Sequence, residues 1–215
     1  MSSPTRTVWL IRHGHRLDFV DPDWMATAAR PLDSPLSKDG EQQATETGKK
    51  LQPEQINLVY ASPFLRTVQT ASLIAMELAL PIRIEAGLAE MFLEQWFPHN
   101  PDLPTADVLR KQFPGIDAHY NSTVIPTYPE TEDNATIRMA NAVESIIRNS
   151  EGNLALITHG GSISRFCRKI APNKTVYPTF CCLIELKWSD GVWTIKLDGS
   201  DNSHLTQNKT DLRFF

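Results

Sequence analysis

Two stretches of this chain run apolar without interruption and then change character at once. Val8-Trp9-Leu10-Ile11 leads into Arg12-His13-Gly14-His15-Arg16, and Leu154-Ala155-Leu156-Ile157-Thr158 leads into His159-Gly160-Gly161-Ser162. Apolar runs without polar alternation predict strands covered on both faces, as in a parallel sheet. Ile56 to Tyr60 and Pro81 to Glu85 predict two more strands. Phe180 to Lys187 and Val192 to Leu197, joined by Ser189-Asp190-Gly191, predict a terminal hairpin that holds Cys181 and Cys182 in its first strand.

Helical periodicity fills the gaps. Ser37 as a cap, with Asp39 and Glu41 behind it, predicts a helix to Leu51, stopped before Pro53. Ser62 as N-cap and Pro63 as first helical residue predict a helix to Leu78 that buries Leu65, Val68, Leu73, Ile74 and Met76. Thr131 opens a helix to Asn149 with apolar Ile137, Ala140, Val143, Ile146 and Ile147, and another runs from the glycines after His159 to Ile170. Strands alternating with helices predict a three-layer α/β/α fold around a mainly parallel sheet.

The length suits a single domain over residues 1–215. Prolines crowd the stretch of about 91–130, which reads as an inserted cap with a helical piece at Ala106 to Phe113. Phe92, Trp96, Phe97 and Tyr120 in it would either wall a substrate pocket or hold the insertion down. The same choice stands for Phe19 and Trp24 in the polar loop before Ser37. Beyond Gly199 the tail is polar until Phe214-Phe215.

Composition narrows the classes. A net charge of −4 argues against a nucleic-acid binder, so an anion site must be a local basic pocket. Three cysteines, two of them adjacent, make a disulfide framework improbable and favour the reducing cytoplasm. The first apolar run is too short for a signal peptide, and no stretch reaches membrane-span length.

The candidate chemistry sits where strands end, the ligand-binding side of open α/β sheets. Arg12 and His13 follow the first strand, Arg66 the second, Glu90 the third and His159 a late one. Gly14 would allow a sharp turn and bring backbone N–H groups near an anion. Arginine stays charged and grips phosphate oxygens in a planar fork. An imidazole among such cations is pushed toward its neutral form, which is nucleophilic toward phosphorus. Glu90 could then protonate the leaving oxygen. The rival is zinc on His13 and His15, but no Cys-X-X-Cys or His-Glu-X-X-His accompanies them, and arginine repels a cation. Walker and Cys-X5-Arg patterns are absent.

Arg12-His13-Gly14, Arg66 within Ser62-Pro63-Phe64-Leu65-Arg66-Thr67-Val68-Gln69-Thr70-Ala71, and His159-Gly160 together resemble the histidine phosphatase superfamily, which includes the phosphoglycerate mutases. The run Arg12 to Val20, with Pro35-Leu36-Ser37, Gly40, Gln43 and Ala44, is similar to a narrower branch. That branch holds the suppressor-of-T-cell-receptor-signalling phosphatase domains and the ecdysteroid-phosphate phosphatases. The resemblance implies a phosphoglycerate mutase-like fold, a phosphohistidine on His13 and no metal or other cofactor. It implies phosphoryl contacts from Arg12, Arg66 and His159, with Arg16 added in the branch. Glu90 is implied as proton donor, or Glu94 should the turn align differently. His15 departs from the glutamate or glutamine frequent after that glycine. The mutase continuation Glu-Ser-X-Trp-Asn is missing, which favours hydrolysis over mutase-like phosphoryl transfer. The substrate would be a phosphorylated small molecule or a phosphoprotein. A protein that binds phospho-ligands without turnover is the other alternative, and the branch implies a homodimer.

Overall fold

The computed structural model describes residues 5–207, so Phe214 and Phe215 lie outside it. Six strands form one sheet: β1 (Arg6–Arg12), β2 (Ile56–Ala61), β3 (Ile82–Ile84), β4 (Asn153–Thr158), β5 (Ile184–Ser189) and β6 (Val192–Asp198). Their spatial order is β3-β2-β4-β1-β5-β6. The first four are mutually parallel, and β5 and β6 add an antiparallel hairpin beside β1. Asp190 and Gly191 both take positive φ at its turn, the geometry an Asp-Gly pair tolerates.

Side chains of β1 alternate between two cores, which is why Val8 to Ile11 carry no polar position. Val8 and Leu10 join Leu154 and Leu156 against α5 (Glu132–Arg148) and α6 (Gly160–Ile170). Trp9 and Ile11 join Ala155 and Ile157 against α3 (Leu65–Leu78). α2 (Lys38–Leu51) lies on α3, and its Ser37 cap accepts from the Gly40 N–H at 3.2 Å. Two short helices complete the set among the described residues, α1 (Trp24–Thr27) in the loop after β1 and α4 (Ala106–Arg110) in the proline-rich stretch of about 91–130. The arrangement is the three-layer, mainly parallel architecture that the pattern predicts.

Four local expectations fail for identifiable reasons. Helix α3 begins at Leu65, not at Pro63, because Ser62 spends its hydroxyl elsewhere. Met76 and Ile137 sit on the outer faces of their helices, 77% and 49% exposed, since each helix needs only one apolar stripe. Strand β5 starts at Ile184, so Phe180 to Leu183 form a turn in which Cys181 takes φ 51°. The Cys181 N–H donates to the Arg12 carbonyl at 3.1 Å, which fastens that turn to the end of β1.

Candidate active site

Register alone brings the two histidines together. β1 and β4 are parallel neighbours with Arg12 opposite Thr158, so the next residues, His13 and His159, leave the sheet side by side. Their ring centroids lie 5.5 Å apart, and both side chains are buried. On the far side of β4, β2 delivers the first turn of α3, and Arg66 donates from Nη2 to His159 Nδ1 at 3.3 Å. A guanidinium can only donate, so Nδ1 accepts and the Nε2–H of neutral His159 faces Ser62 Oγ at 2.8 Å. His13 is fixed the opposite way: Nδ1 lies 2.8 Å from the Gly14 carbonyl, which can only accept. His13 Nε2 therefore keeps its lone pair.

Three guanidiniums surround this pair, each stacked on a phenyl ring. Arg12 lies 4.2 Å from the Phe180 centroid, Arg66 4.3 Å from Phe64 and Arg16 4.6 Å from Phe19. Stacking holds the planes while leaving edge N–H groups for other partners. Arg12 also donates to the Pro178 carbonyl, and Arg16 makes a two-pronged pair with Asp18 at 2.9 and 2.5 Å. Nε and Nη1 of buried Arg66 have no hydrogen-bond partner among the described residues. Burial, and then Arg16, pulls the Arg66 guanidinium down to about 9. A bound anion would reverse that pressure.

Burial, followed by Arg66 and Arg12, holds both imidazoles well below their ordinary range. They are thus neutral at neutral pH. Their folded pKa values lie below the unfolded one, so their stabilisation is complete above about pH 6.5 and fades as pH falls toward the folded values. Stability should therefore drop by about 1 kcal/mol per histidine per pH unit below 6.5. Thermal melts from pH 7.5 to 5.5 read this directly; a flat profile in phosphate-free buffer would contradict it.

Glu90 is buried beside the start of α6. Its Oε1 accepts from the Met91 N–H, the Ser162 N–H and the Ser162 hydroxyl at 3.0 to 3.2 Å. Glu94 is exposed. Arg138 of α5 fixes the loop that carries Glu90, donating to the carbonyls of Gly87, Ala89 and Glu90 at 2.8 to 3.0 Å. Glu130 holds Arg138 through both oxygens and also accepts the Phe92 N–H. Arg138→Met would leave a buried carboxylate and three carbonyls unpaired, an expected loss of about 3–5 kcal/mol. Chemical denaturation checks it, and a loss below 1 kcal/mol would deny the loop this anchor.

Phe92, Phe97 and Tyr120 hold the stretch of about 91–130 down. Phe92 and Phe97 are buried with Phe64 and Ala89, and the Tyr120 hydroxyl donates to Glu85 at 2.6 Å. Glu85 also accepts from Gly87, Thr123 and Val124, a saturated carboxylate that ties the loop at Tyr120 to Val124 to the end of β3. Gly14 serves neither an unusual turn nor an anion. Its N–H donates to Thr70 Oγ1, and a Cβ on it would come 2.6 Å from the Gly40 carbonyl oxygen. His15 turns inward, its Nδ1 2.9 Å from Ser37 Oγ and its ring against Phe19 and Phe180. Among the described residues no three His, Cys, Asp or Glu side chains gather into a possible metal site.

The sequence profile of the histidine phosphatase superfamily (branch 1) matches residues 8–200. The chain belongs to the histidine phosphatase superfamily. Among its relatives, the transcription factor tau 55 kDa subunit of Saccharomyces cerevisiae is 30% identical over 73% of this chain and 39% of its own length. Ecdysteroid-phosphate phosphatase of Drosophila melanogaster is 24% identical over 88% of this chain and 31% of its own. This histidine phosphatase chain thus spans about a third of the length of those two relatives. The crystal structure of ecdysone phosphate phosphatase from Bombix mori, in complex with tungstate, shares the fold with a TM-score of 0.74 at 22% identity, covering 98% of each chain.

The fold gathers His13, His159, Arg12, Arg16 and Arg66 into one cluster with their supporting rings, and sets Glu90 against α6. Sequence reasoning missed Asp33, whose Oδ1 accepts the Leu65 N–H at 2.6 Å and so caps α3 from the loop after β1. Burial pushes the Asp33 carboxyl up, against the pull of Arg66 just inside that helix. The Ser-Pro pair drew the eye to a local cap, and no local pattern names a distant one. Phe180 and Arg138 were missed for the same reason: Arg12 and the carbonyls of Gly87, Ala89 and Glu90 that they serve are remote in sequence.

Proposed function

We propose that this histidine phosphatase hydrolyses phosphomonoesters through a phosphohistidine on His13. The observation that carries the reading is the His13 Nε2 lone pair, set beside His159 and the incompletely partnered Arg66 guanidinium. In the first step Nε2 attacks phosphorus in line with the ester bond, which breaks as the Glu90 carboxyl passes its proton to the leaving oxygen. Arg12, Arg16 and Arg66 hold the equatorial oxygens as charge shifts between them, joined by His159 once its Nε2–H turns from Ser62 to the substrate. Water then attacks phosphorus, the P–N bond breaks and Glu90 takes the water's proton. The guanidiniums supply the positive charge, so no metal is needed. Three buried free thiols suit a reducing cytoplasm. That the relatives include phosphatases of an ecdysteroid phosphate supports hydrolysis.

Rapid quenching with 32P-labelled p-nitrophenyl phosphate tests the reading. An acid-labile, alkali-stable label on the protein, with steady release of phosphate in the presence of a chelator, is the expected result. Tight phosphate binding with neither label nor turnover would leave a binding protein instead. Label passed only to another hydroxyl of a phosphorylated sugar acid would mark a mutase.

A further inference from the structure

A groove of about 510 Å3 lies beside the catalytic cluster, lined by Met91 and Trp96 of the insertion, Arg165 and Arg168 of α6 and Lys174 of the loop beyond. Gly161 lines it too, and its missing side chain matters. A Cβ there would come 2.9 Å from Glu90 Oε1 and 2.8 Å from Met91 Cε. Only a backbone turn therefore separates the groove from the carboxyl assigned to the leaving oxygen.

The charge of the groove runs against the body, which is net −4. Glu132 pairs with Arg165, and Asp198 lies in the field of Lys174. No hydrogen bond or ion pair engages Arg168 among the described residues, so the groove stays cationic. Trp96 gives it one flat apolar wall.

We infer that this groove is a leaving-group subsite for a second anionic group, a carboxylate or a phosphate, borne by the alcohol portion of the substrate. The inference rests on the reading of Glu90 as proton donor, because the ester oxygen then sits at Glu90 and the rest of the alcohol extends past it. Arg168 and Lys174 would meet the second anion, and Trp96 the chain between the two.

Two ester series of increasing chain length test it, monophosphates of ω-hydroxy acids and bisphosphates of α,ω-diols, each paired with the matching n-alkyl phosphate. At the length that spans the groove, kcat/KM for the anionic ester should exceed that of its alkyl partner. Arg168→Glu should lower this ratio about tenfold, and salt should lower it as well. The series with the larger ratio names the anion. A wild-type ratio near one at every length, or a ratio that Arg168→Glu leaves in place, overturns the inference. If no ester turns over, the phosphatase reading fails instead. Calorimetric affinities of the same pairs for the wild-type and Arg168→Glu proteins then decide the groove by the same ratio.

Discussion

His13→Ala should lower kcat by about 10⁴-fold or more and abolish the trapped phosphoprotein. No neighbouring group can take over. His159 is neutral but has both ring nitrogens engaged, by Arg66 and by Ser62. The three buried cysteine thiols are held protonated, with Cys181 above its ordinary range and Cys182 pushed up to about 11 by burial. Residual binding of inorganic phosphate should survive, since the guanidiniums remain. The measurement is a paired one, turnover and phosphate-induced shift in Tm on the same preparation. An alanine variant that keeps a tenth of wild-type turnover would place the nucleophile elsewhere.

Arg66→Met should separate activity from stability. The guanidinium is fully buried on Phe64 with two of its nitrogens unpartnered, a state that burial and like charge both disfavour. Methionine fills similar space without the charge. We expect kcat/KM to fall about 10³-fold, the scale of a lost transition-state donor. The phosphate-free protein should melt about 2–4 °C higher, and the phosphate-induced rise in Tm should vanish. Arg138→Met should do the reverse to Tm, although both residues are buried arginines. The difference is that Arg138 has every donor answered by Glu130 and three carbonyls, whereas Arg66 keeps Nε and Nη1 without a hydrogen-bond partner among the described residues. An Arg66→Met protein that unfolds as readily as Arg138→Met would refute the distinction.

Local pattern carries a residue only as far as its own element. Val8 to Ile11 and Leu154 to Ile157 read as doubly covered strands because both faces of β1 and β4 are in fact covered. Arg12, His13, Arg66, Glu90 and His159 read as chemistry because each breaks an apolar run at a strand's carboxyl end. The errors are equally local. Pro63 looked like a helix start, yet the helix waits for Leu65, where Asp33 supplies the cap. Phe92 and Phe97 could have served a pocket or an anchor, and only their cluster with Phe64 decides for the anchor.

By itself, then, the chain determined its strands, most of its helices and the candidate site residues, since period and residue type are properties of short segments. The tertiary structure decided the rest. It set Arg66 and Ser62 on the two ring nitrogens of His159, Phe180 behind Arg12 and the distant carboxylate of Asp33 at the start of α3. Those outcomes depend on parallel register and on contacts between residues far apart in the chain, which no short segment encodes.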